Sequence, residues 1–320
     1  MQDNFGRTIE YLRLSVTDRC NLRCRYCMPE AGVEKQRHED ILRNEECIRI
    51  VETMAGLGIT KVRVTGGEPL VRKGLASLIA GIRNIPGIKD ISLTTNGILL
   101  EQQLQELKEA GITRLNISLD SLNRETYRQL TRGGDLDMAL RGIEKALSLG
   151  ISPIKINVVL IKGVNDHEVD DFLNVFHPSI EVRFIELMPI GEAAASWSKE
   201  NFLNLSEYFS NRSDLVPAPL HGDGGPCRYY RHTKTGRSVG VINSISDHFC
   251  ASCNRLRVTA DGMLKTCLHD SSEVNLKPYL KDPDALREVI VSAVNKKPES
   301  HSLNREDSVP IIRNMYTIGG

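Results

Sequence analysis

Three closely spaced cysteines near the N-terminus are the first residues whose types and spacing predict chemistry. Cys20, Cys24 and Cys27 stand in the run Cys-Asn-Leu-Arg-Cys-Arg-Tyr-Cys, shortly after a predicted strand. A four-iron cluster usually takes four thiolates from the protein, so a set of three would leave one iron open to a small molecule. A structural zinc ion needs a fourth cysteine or histidine, and the next histidine, His38, lies eleven residues further along. The spacing therefore favours an iron–sulfur cluster.

A second group of three cysteines lies in the C-terminal third of the chain. Cys250, Cys253 and Cys267 have the spacing Cys-x2-Cys-x13-Cys, and either His248 or His269 could complete a zinc site. Spacing alone leaves zinc and an iron–sulfur cluster equally open at this second group.

The remaining composition narrows the classes of function. Cys47 and Cys227 stand alone, and isolated cysteines mostly pack as small apolar residues. The 41 basic and 41 acidic residues cancel, so binding to bulk nucleic acid or to a membrane surface is not expected. No signal-peptide pattern or long apolar run is present, and clustered thiols are typical of a reducing compartment. We expect a cytoplasmic protein that binds any anionic ligand through a local cluster of cations.

Short strands alternate with amphipathic helical stretches over the first two-thirds of the chain. The predicted strands cover residues 11–16, 61–65, 89–95, 113–120, 154–161 and 181–188. The predicted helices cover residues 44–57, 72–83, 99–110 and 166–176, with further helical segments up to residue 149. This repeated strand–helix order predicts a parallel sheet with helices outside it.

Polar residues alternate with apolar ones along several of these strands. Arg13, Arg63 and Lys155 each stand between two apolar neighbours. Period-two alternation places such residues on one face of a strand. Because the other face must pack on helices, the polar face points inward, and so polar a lumen suits a ligand cavity. The sequence therefore predicts an α/β fold built as an incomplete, TIM-like (βα)6 barrel rather than a doubly wound sheet.

The character of the sequence changes after about residue 210. Pro- and Gly-rich stretches at residues 216–219 and 221–226 predict a linker or exposed loop. Asp261-Gly262 predicts a β-hairpin, and a last helix is expected over residues 284–294. We therefore divide the chain into a partial barrel, residues 1–210, and a β-containing C-terminal extension, residues 211–320, that carries the second cysteine group.

The first cysteine group resembles the signature of the radical S-adenosylmethionine superfamily. The shared features are the cysteine spacing, with Tyr26 before the last cysteine, and a turn, Gly66-Gly67-Glu68-Pro69, that resembles the superfamily's GGEP motif. The resemblance implies a [4Fe–4S] cluster whose open iron chelates S-adenosylmethionine, which is cleaved to a radical that removes a hydrogen atom from the substrate. It also implies a set of S-adenosylmethionine contacts, namely Tyr26, Gly67, Ser118 and Met188.

Essentially the whole chain resembles one family in particular, the GTP 3′,8-cyclases that begin molybdenum cofactor biosynthesis. The second cysteine group followed by Asn254-Arg255-Leu256-Arg257 matches that family, and so do Phe5-Gly6-Arg7 and the C-terminal Gly319-Gly320. The resemblance implies a second [4Fe–4S] cluster on three cysteines, whose open iron meets the guanine of GTP. It further implies a set of GTP contacts, namely Arg13, Arg63, Thr94, Lys155, Arg255 and Arg257.

The implied reaction converts GTP to 3′,8-cyclo-7,8-dihydro-GTP, in which C3′ of the ribose is bonded to C8 of guanine. Arg13 is the candidate catalytic residue, since we hypothesise that it assists reduction of the radical left on the base. The Gly319-Gly320 tail, flexible by composition, is expected to reach into the cavity. The family also implies a homodimer and transfer of the product to cyclic pyranopterin monophosphate synthase.

Two other functions remain open from the sequence. A peptide-modifying maturase of the same superfamily would also carry an auxiliary cluster, although such enzymes usually have more cysteines near the C-terminus. A non-catalytic iron–sulfur or zinc protein would use the second cysteine group as a structural site. Iron content separates these possibilities, because two four-iron clusters hold about eight irons per chain.

Overall fold

Twelve strands form one sheet in the computed structural model, which describes residues 1–32, 36–191, 200–219, 225–247, 249–301 and 313–319. The strands are β1 (Tyr11–Ser15), β2 (Lys61–Thr65), β3 (Asp90–Thr95), β4 (Arg114–Ser118), β5 (Ile154–Leu160), β6 (Ile180–Glu186), β7 (Leu215–Ala218), β8 (Arg228–His232), β9 (Ser238–Ile242), β10 (Arg255–Val258), β11 (Met263–Lys265) and β12 (Val274–Asn275). The helices within the described ranges are α1 (Asn44–Gly56), α2 (Leu75–Arg83), α3 (Leu100–Ala110), α4 (Arg124–Thr131), α5 (Leu136–Ser148), α6 (Val169–Val175), α7 (Leu205–Ser210), α8 (Pro283–Asn295) and α9 (Met315–Ile318). The predicted α/β order of strands and helices is confirmed.

The strand order explains why the barrel is incomplete. Strands β1 to β6 lie side by side in chain order and run parallel, as predicted. The C-terminal part adds strands at both edges, because β10 pairs in parallel with β1 and β9 pairs in parallel with β6. The sheet then ends in β12 on one side and β7 on the other. The division of the chain at residue 210 stays a prediction, and the sheet itself continues across it.

The predicted alternation along the inner strands is confirmed at β1. Leu12 and Leu14 are fully buried in the apolar core, whereas Arg13 lines a cavity on the opposite face. Burial of each such leucine contributes about 1.5–3 kcal/mol to folding. Cys47 of α1 lies in the same core, as expected for an isolated cysteine. The outward face of the sheet thus holds the fold together, and the inward face is left for polar groups.

Helix α8 anchors the C-terminal part to the barrel. Its buried face contains Leu286, Ile290 and Val294, and the helix packs on α1. Asp282 caps the helix by accepting hydrogen bonds from the amides of Asp284 and Ala285, each at 3.1 Å.

Across the ranges that the structure describes, no helix is both long and apolar enough to cross a membrane.

The hairpin predicted at residues 261–262 is confirmed by the antiparallel pairing of β10 and β11. Two other parts of the C-terminal third differ from the prediction. The stretch predicted as a linker contributes most of β7, in which Pro217 pairs with Tyr230. This is possible because β7 is an edge strand, where a proline need not donate a hydrogen bond. Helix α9, which was not predicted, lies directly before Gly319, and its Ile318 is fully buried. Residues 220–224 lie outside the described ranges.

Candidate functional site

One cavity of about 440 Å³ lies on the inner face of the sheet, and its volume is typical of small-molecule sites. Every candidate site residue named above lines it, and these residues are Arg13, Cys20, Cys24, Tyr26, Cys27, Arg63, Gly67, Thr94, Ser118, Lys155, Met188, Cys250, Cys253, Arg255, Arg257 and Cys267. The fold therefore brings both cysteine groups and all the candidate ligand contacts to one place.

Strand pairing places the two cysteine groups at opposite ends of this cavity. β10 begins at Arg255, two residues after Cys253, and pairs in parallel with β1 so that Arg255 stands beside Tyr11. Cys20 comes five residues after Ser15, at the other end of β1. Since a strand rises about 3.3 Å per residue, the four steps from Tyr11 to Ser15 alone separate the two ends by roughly 13 Å.

The first cysteine loop is held on one side by the glycine turn that follows β2. The amide of Gly67 donates to the carbonyl of Thr17 at 2.8 Å, and the amide of Glu68 donates to the carbonyl of Arg19, also at 2.8 Å. A Cβ atom on Gly67 would lie only 2.5 Å from the carbonyl oxygen of Arg19. The glycine is thus required because two backbone segments touch here, one residue before Cys20.

The same loop is held on its other side by the end of α4. The amide of Arg23 donates to the carbonyl of Thr131 at 3.1 Å. The guanidinium of Arg132 donates to the carbonyls of Arg23 and Met28 at 3.1 and 2.8 Å, and these two carbonyls bracket the last two cysteines of the loop. The three thiols are therefore positioned by backbone contacts on both sides.

Burial disfavours ionisation of the three thiols of the first group. Burial raises the pKa of Cys20 to about 11 and that of Cys27 to about 12, and it also raises the pKa of Cys24. Asp120 and the neighbouring cysteines act in the same direction on Cys24. Bound iron supplies the positive charge that stabilises thiolates, so metal uptake at this group would release protons.

Two buried carboxylates fix the surroundings of the first group. The sequence singled out Glu68 only as part of the glycine turn, and it assigned no role to Asp120. Asp120 follows β4 and accepts a hydrogen bond at 2.6 Å from the hydroxyl of Tyr26, and burial raises the pKa of this carboxyl to about 6. Glu68 accepts hydrogen bonds from Thr95 Oγ1 and the Asn96 amide, both at 2.7 Å, and burial raises its pKa to about 7. The alternation along the fourth predicted strand did include Asp120, but nothing in the pattern distinguished it from its neighbours.

The second cysteine group lies on a short helical turn and on the strand hairpin that follows it. The amide of Cys253 donates to the carbonyl of Cys250 at 3.1 Å, and Cys267 comes two residues after β11. Among the described side chains, no three of His, Cys, Asp or Glu are placed to hold a single metal ion. A four-iron cluster binds each thiolate at a different iron, so its three ligands need not converge on one metal ion. His248, one of the two possible zinc ligands, lies outside the described ranges.

A row of three arginines crosses the cavity between the two cysteine groups. Arg13 of β1 stands opposite Arg257 of β10 on one side and Arg63 of β2 on the other. Neighbouring strands lie about 4.8 Å apart, so the three cations repel one another. Burial, Arg257 and Arg63 hold the pKa of Arg13 well below its usual range. Within the described ranges, neither Arg63 nor Arg257 forms an ion pair with a carboxylate, so this row is suited to an anionic ligand.

Several buried polar atoms in the cavity wall also point to a polar ligand. Arg63 Nε, Thr94 Oγ1 and Asn157 Oδ1 have no hydrogen-bond partner among the residues that the structure describes. Buried polar groups are normally paired, so groups without a partner in a cavity indicate where a ligand binds. Asn157 is a further candidate contact that the sequence pattern placed on the polar face of β5 without assigning it a role.

The wall formed by β5 and β6 carries cations that are paired. Lys155 Nζ lies 3.6 Å from Glu181 Oε2, and Arg183 also forms an ion pair with Glu181. Tyr229 joins this group by donating to Glu181 at 2.9 Å. Arg183 lines the cavity, as do Lys61, Arg114 and the isolated Cys227, and none of these four was predicted to be at the site.

The C-terminal tail reaches the arginine row, as expected from the sequence. The carbonyl of Gly319 accepts a hydrogen bond from Arg257 Nη1 at 3.0 Å. Gly319 has a φ of +84°, and a Cβ atom on it would lie 2.8 Å from Thr65 Cγ2. A glycine is therefore needed for the tail to pass between β2 and Arg257. Gly320 lies outside the described ranges.

Two family models match consecutive parts of the chain. Residues 14–176 match the radical SAM superfamily, and residues 180–303 match the model described as Molybdenum Cofactor Synthesis C. The sequence is 50% identical to GTP 3′,8-cyclase of Alkaliphilus metalliredigens, with the whole of both chains covered. It is 46% identical to GTP 3′,8-cyclase of Listeria monocytogenes over all of this chain and 99% of that one.

Solved structures of two more distant proteins share the fold. SuiB of Streptococcus suis, bound to S-adenosylmethionine, superposes with a TM-score of 0.58 at 16% identity, over 97% of this chain and 77% of that one. Coproporphyrinogen III oxidase of Escherichia coli, a radical SAM enzyme, superposes with a TM-score of 0.52 at 16% identity, over 87% and 69% of the two chains. The predicted fold class is confirmed by these similarities.

The contact between Gly67 and Arg19 generates a prediction about cluster retention. In Gly67→Ala the added methyl group meets the Arg19 carbonyl, so the first cysteine loop should be displaced and its cluster lost. We expect iron after anaerobic reconstitution to fall from about eight to about four per chain, measured together with labile sulfide.

The matched control is Gly56→Ala, where the added methyl group meets only Arg287 Nη1 at 3.9 Å. This variant should keep the full iron content. Full iron content in Gly67→Ala, with circular dichroism like that of the unmodified protein, would contradict the proposed role of the glycine turn.

Proposed function

The chain belongs to the GTP 3′,8-cyclase family of the radical S-adenosylmethionine superfamily, and we propose that the cavity on the inner face of its sheet binds both reactants, with S-adenosylmethionine at the Cys20 end and GTP at the Cys253 end. The enzyme is a lyase of molybdenum cofactor biosynthesis that converts GTP to 3′,8-cyclo-7,8-dihydro-GTP. The observation that carries the proposal is the arginine row between two cysteine groups in a single cavity. The maturase and the non-catalytic alternatives lose support, since relatives at 46–50% identity over whole chains are GTP 3′,8-cyclases.

The cofactors of this family are two [4Fe–4S] clusters and S-adenosylmethionine, and the donor sets fit them. We assign Cys20, Cys24 and Cys27 to the first cluster and Cys250, Cys253 and Cys267 to the second. When bound, the first cluster and S-adenosylmethionine supply a radical that can remove a hydrogen atom from the nucleotide. The protein's own contribution is to hold, orient and shield the reactants.

Four residues at the first end are proposed to bind S-adenosylmethionine. Tyr26 is oriented by its hydrogen bond to Asp120, and Gly67 presents its backbone beside the cysteine loop. Ser118 is the last residue of β4, and Met188 lies two residues beyond β6, where both line the cavity. Their positions at the carboxyl ends of parallel strands support the assignment, because barrel enzymes place reactive groups there.

Six residues are proposed to bind GTP. Arg13, Arg63 and Arg257 form the arginine row, which is suited to the triphosphate. Arg255 precedes Arg257 by two residues on β10 and stands next to Tyr11. Thr94 contributes a buried hydroxyl without a partner in the described structure. Lys155 completes the set from β5, and burial lowers the pKa of its ammonium group to about 8.

The assembly and the cellular setting are proposed from the family resemblance. We infer a homodimer, transfer of the product to cyclic pyranopterin monophosphate synthase, and a cytoplasmic location. The six clustered cysteines support the location, since they need a compartment that keeps thiols reduced. The balanced charge of the chain supports the inference that neither nucleic acid nor a membrane is a partner.

The function is tested by anaerobic incubation of the reconstituted enzyme with GTP, S-adenosylmethionine and dithionite. We expect 5′-deoxyadenosine and a cyclised nucleotide, both dependent on GTP.

We expect Arg13→Ala to form 5′-deoxyadenosine while yielding at least about 100-fold less cyclised nucleotide, since removing one catalytic group typically lowers the rate by about that factor. A product yield equal to that of the unmodified enzyme would exclude the proposed role of Arg13, and an absence of GTP dependence would exclude the substrate.

The charge of Lys155 generates a prediction about pH. Burial and the neighbouring Arg183 lower the pKa of Lys155 to about 8, so its ammonium is charged below that pH and neutral above it. GTP binding should therefore weaken by about tenfold as the pH is raised through this pKa, because one charged contact to phosphate is lost. Equilibrium dialysis under anaerobic conditions measures this change.

The control is Lys155→Arg, because arginine keeps its charge over the whole range. GTP affinity in this variant should be nearly independent of pH through the same interval. An equally steep fall in Lys155→Arg would show that another group causes the pH dependence.

A further inference from the structure

Lys297 is a buried lysine that touches the second cysteine group, and no role has been assigned to it above. Its side chain is only 3% exposed. Its Nζ donates to Cys253 Sγ at 3.6 Å, to the carbonyl of Arg255 at 3.2 Å and to the carbonyl of Thr266. An ammonium group has three donors, so all of them are used. The contacts reach both arms of the cysteine hairpin, because Thr266 directly precedes Cys267.

The position of Lys297 is fixed by the helix that precedes it. Its amide donates to the carbonyl of Val294 at 3.0 Å, within the last turn of α8. The buried face of α8, which includes Ile290, holds that helix against the core. The side chain therefore extends from the end of an anchored helix to the second cysteine group.

A second buried cation holds the same region from the N-terminal side. Arg7 Nη1 donates to the carbonyls of Cys250 and Glu299, both at 2.9 Å, and Arg7 Nη2 donates to the carbonyl of Pro298 at 2.7 Å. Arg7 thus ties the segment after Lys297 to the first cysteine of the group. The charge of Arg7 is neutralised by Asp3, whose Oδ2 lies 2.5 Å from Arg7 Nε. Lys297 differs from Arg7, because the anionic group next to it would be the thiolate of Cys253.

The ammonium group of Lys297 meets the second cysteine group at Cys253, because its Nζ lies 3.6 Å from this sulfur. A buried positive charge in contact with a sulfur stabilises the thiolate form that a cluster requires. Lys297 is not among the residues that line the cavity within the described structure, so its effect on a nucleotide would pass through Cys253.

We propose that Lys297 is a positioning residue of the second cluster, where its fixed positive charge stabilises the Cys253 thiolate and raises the reduction potential of the cluster. Hydrogen bonds and positive charge near a cluster sulfur favour the reduced form, which carries one more negative charge. The inference rests on the proposed second cluster and adds a specific residue to it.

The test uses the full chain with Cys20, Cys24 and Cys27 replaced by alanine, so that only the second cluster is present. In this parent, Lys297→Met keeps the length of the side chain and removes its charge, whereas Lys297→Arg keeps the charge. The exposed neighbour Lys296 provides the control, as Lys296→Met. Potentiometric titration followed by electron paramagnetic resonance measures the midpoint potential of the cluster in each variant.

We expect the midpoint potential to shift to more negative values in Lys297→Met, to stay close to the parent in Lys297→Arg, and not to change in Lys296→Met. Loss of iron in Lys297→Met with retention in Lys297→Arg would also support the proposal, because it shows that the charge is needed to keep the thiolate. A purely structural lysine would lower the melting temperature in Lys297→Met without moving the potential.

Two results would overturn the proposal. The first is an unchanged potential and unchanged spectrum in Lys297→Met, and the second is a shift in Lys297→Arg as large as that in Lys297→Met. If the parent itself held no iron after reconstitution, instead of about four irons per chain, the proposed second cluster would fail and this inference with it.

Discussion

Repulsion within the arginine row is the constraint on which the arrangement of the whole cavity depends. Arg257, Arg13 and Arg63 stand side by side on three neighbouring strands. Two like charges about 5 Å apart repel by up to about 3 kcal/mol at an effective dielectric constant of about 20. The fold tolerates this cost because its outward strand faces are packed in a continuous apolar core. An anionic ligand relieves the repulsion, so the row favours the bound state of the cavity.

One strand pairing determines how this row relates to the two cysteine groups. The parallel pairing of β10 with β1 aligns Arg257 with Arg13. The same pairing places Cys253 near the start of β1, whereas Cys20 follows the end of that strand, so the row lies between the two cysteine groups. The distance between the proposed clusters is thus set by the length of a strand and not by flexible loops. The loops contribute local restraints instead, through Gly67 on one side and Lys297 on the other. A nucleotide between the clusters would be held by rigid elements, as precise positioning of reacting atoms requires.

Much of this site could be predicted from the sequence, and the reason is local periodicity. Alternation along a strand determines on which face of the sheet a side chain lies. Arg13, Arg63 and Lys155 could therefore be placed on the inner face without a structure. The cysteine spacings likewise predicted two sites. The roles of Asp120, Glu68 and Lys297 could not be predicted, because each depends on contacts between segments far apart in the chain. Sequence patterns also misjudged residues 216–218, since a proline in an edge strand and a proline in a linker look the same.

The melting temperature of the cluster-loaded enzyme tests most directly whether the arginine row is a site of repulsion that an anion relieves. Replacing Arg63 by methionine should raise the melting temperature without GTP by about 2 °C or more, and should reduce the increase that GTP produces. Arg183, which is ion-paired with Glu181 in the same cavity, provides the contrast, because Arg183→Met should lower the melting temperature. A lower melting temperature in Arg63→Met without GTP, together with an unchanged increase on adding GTP, would contradict this reading of the cavity.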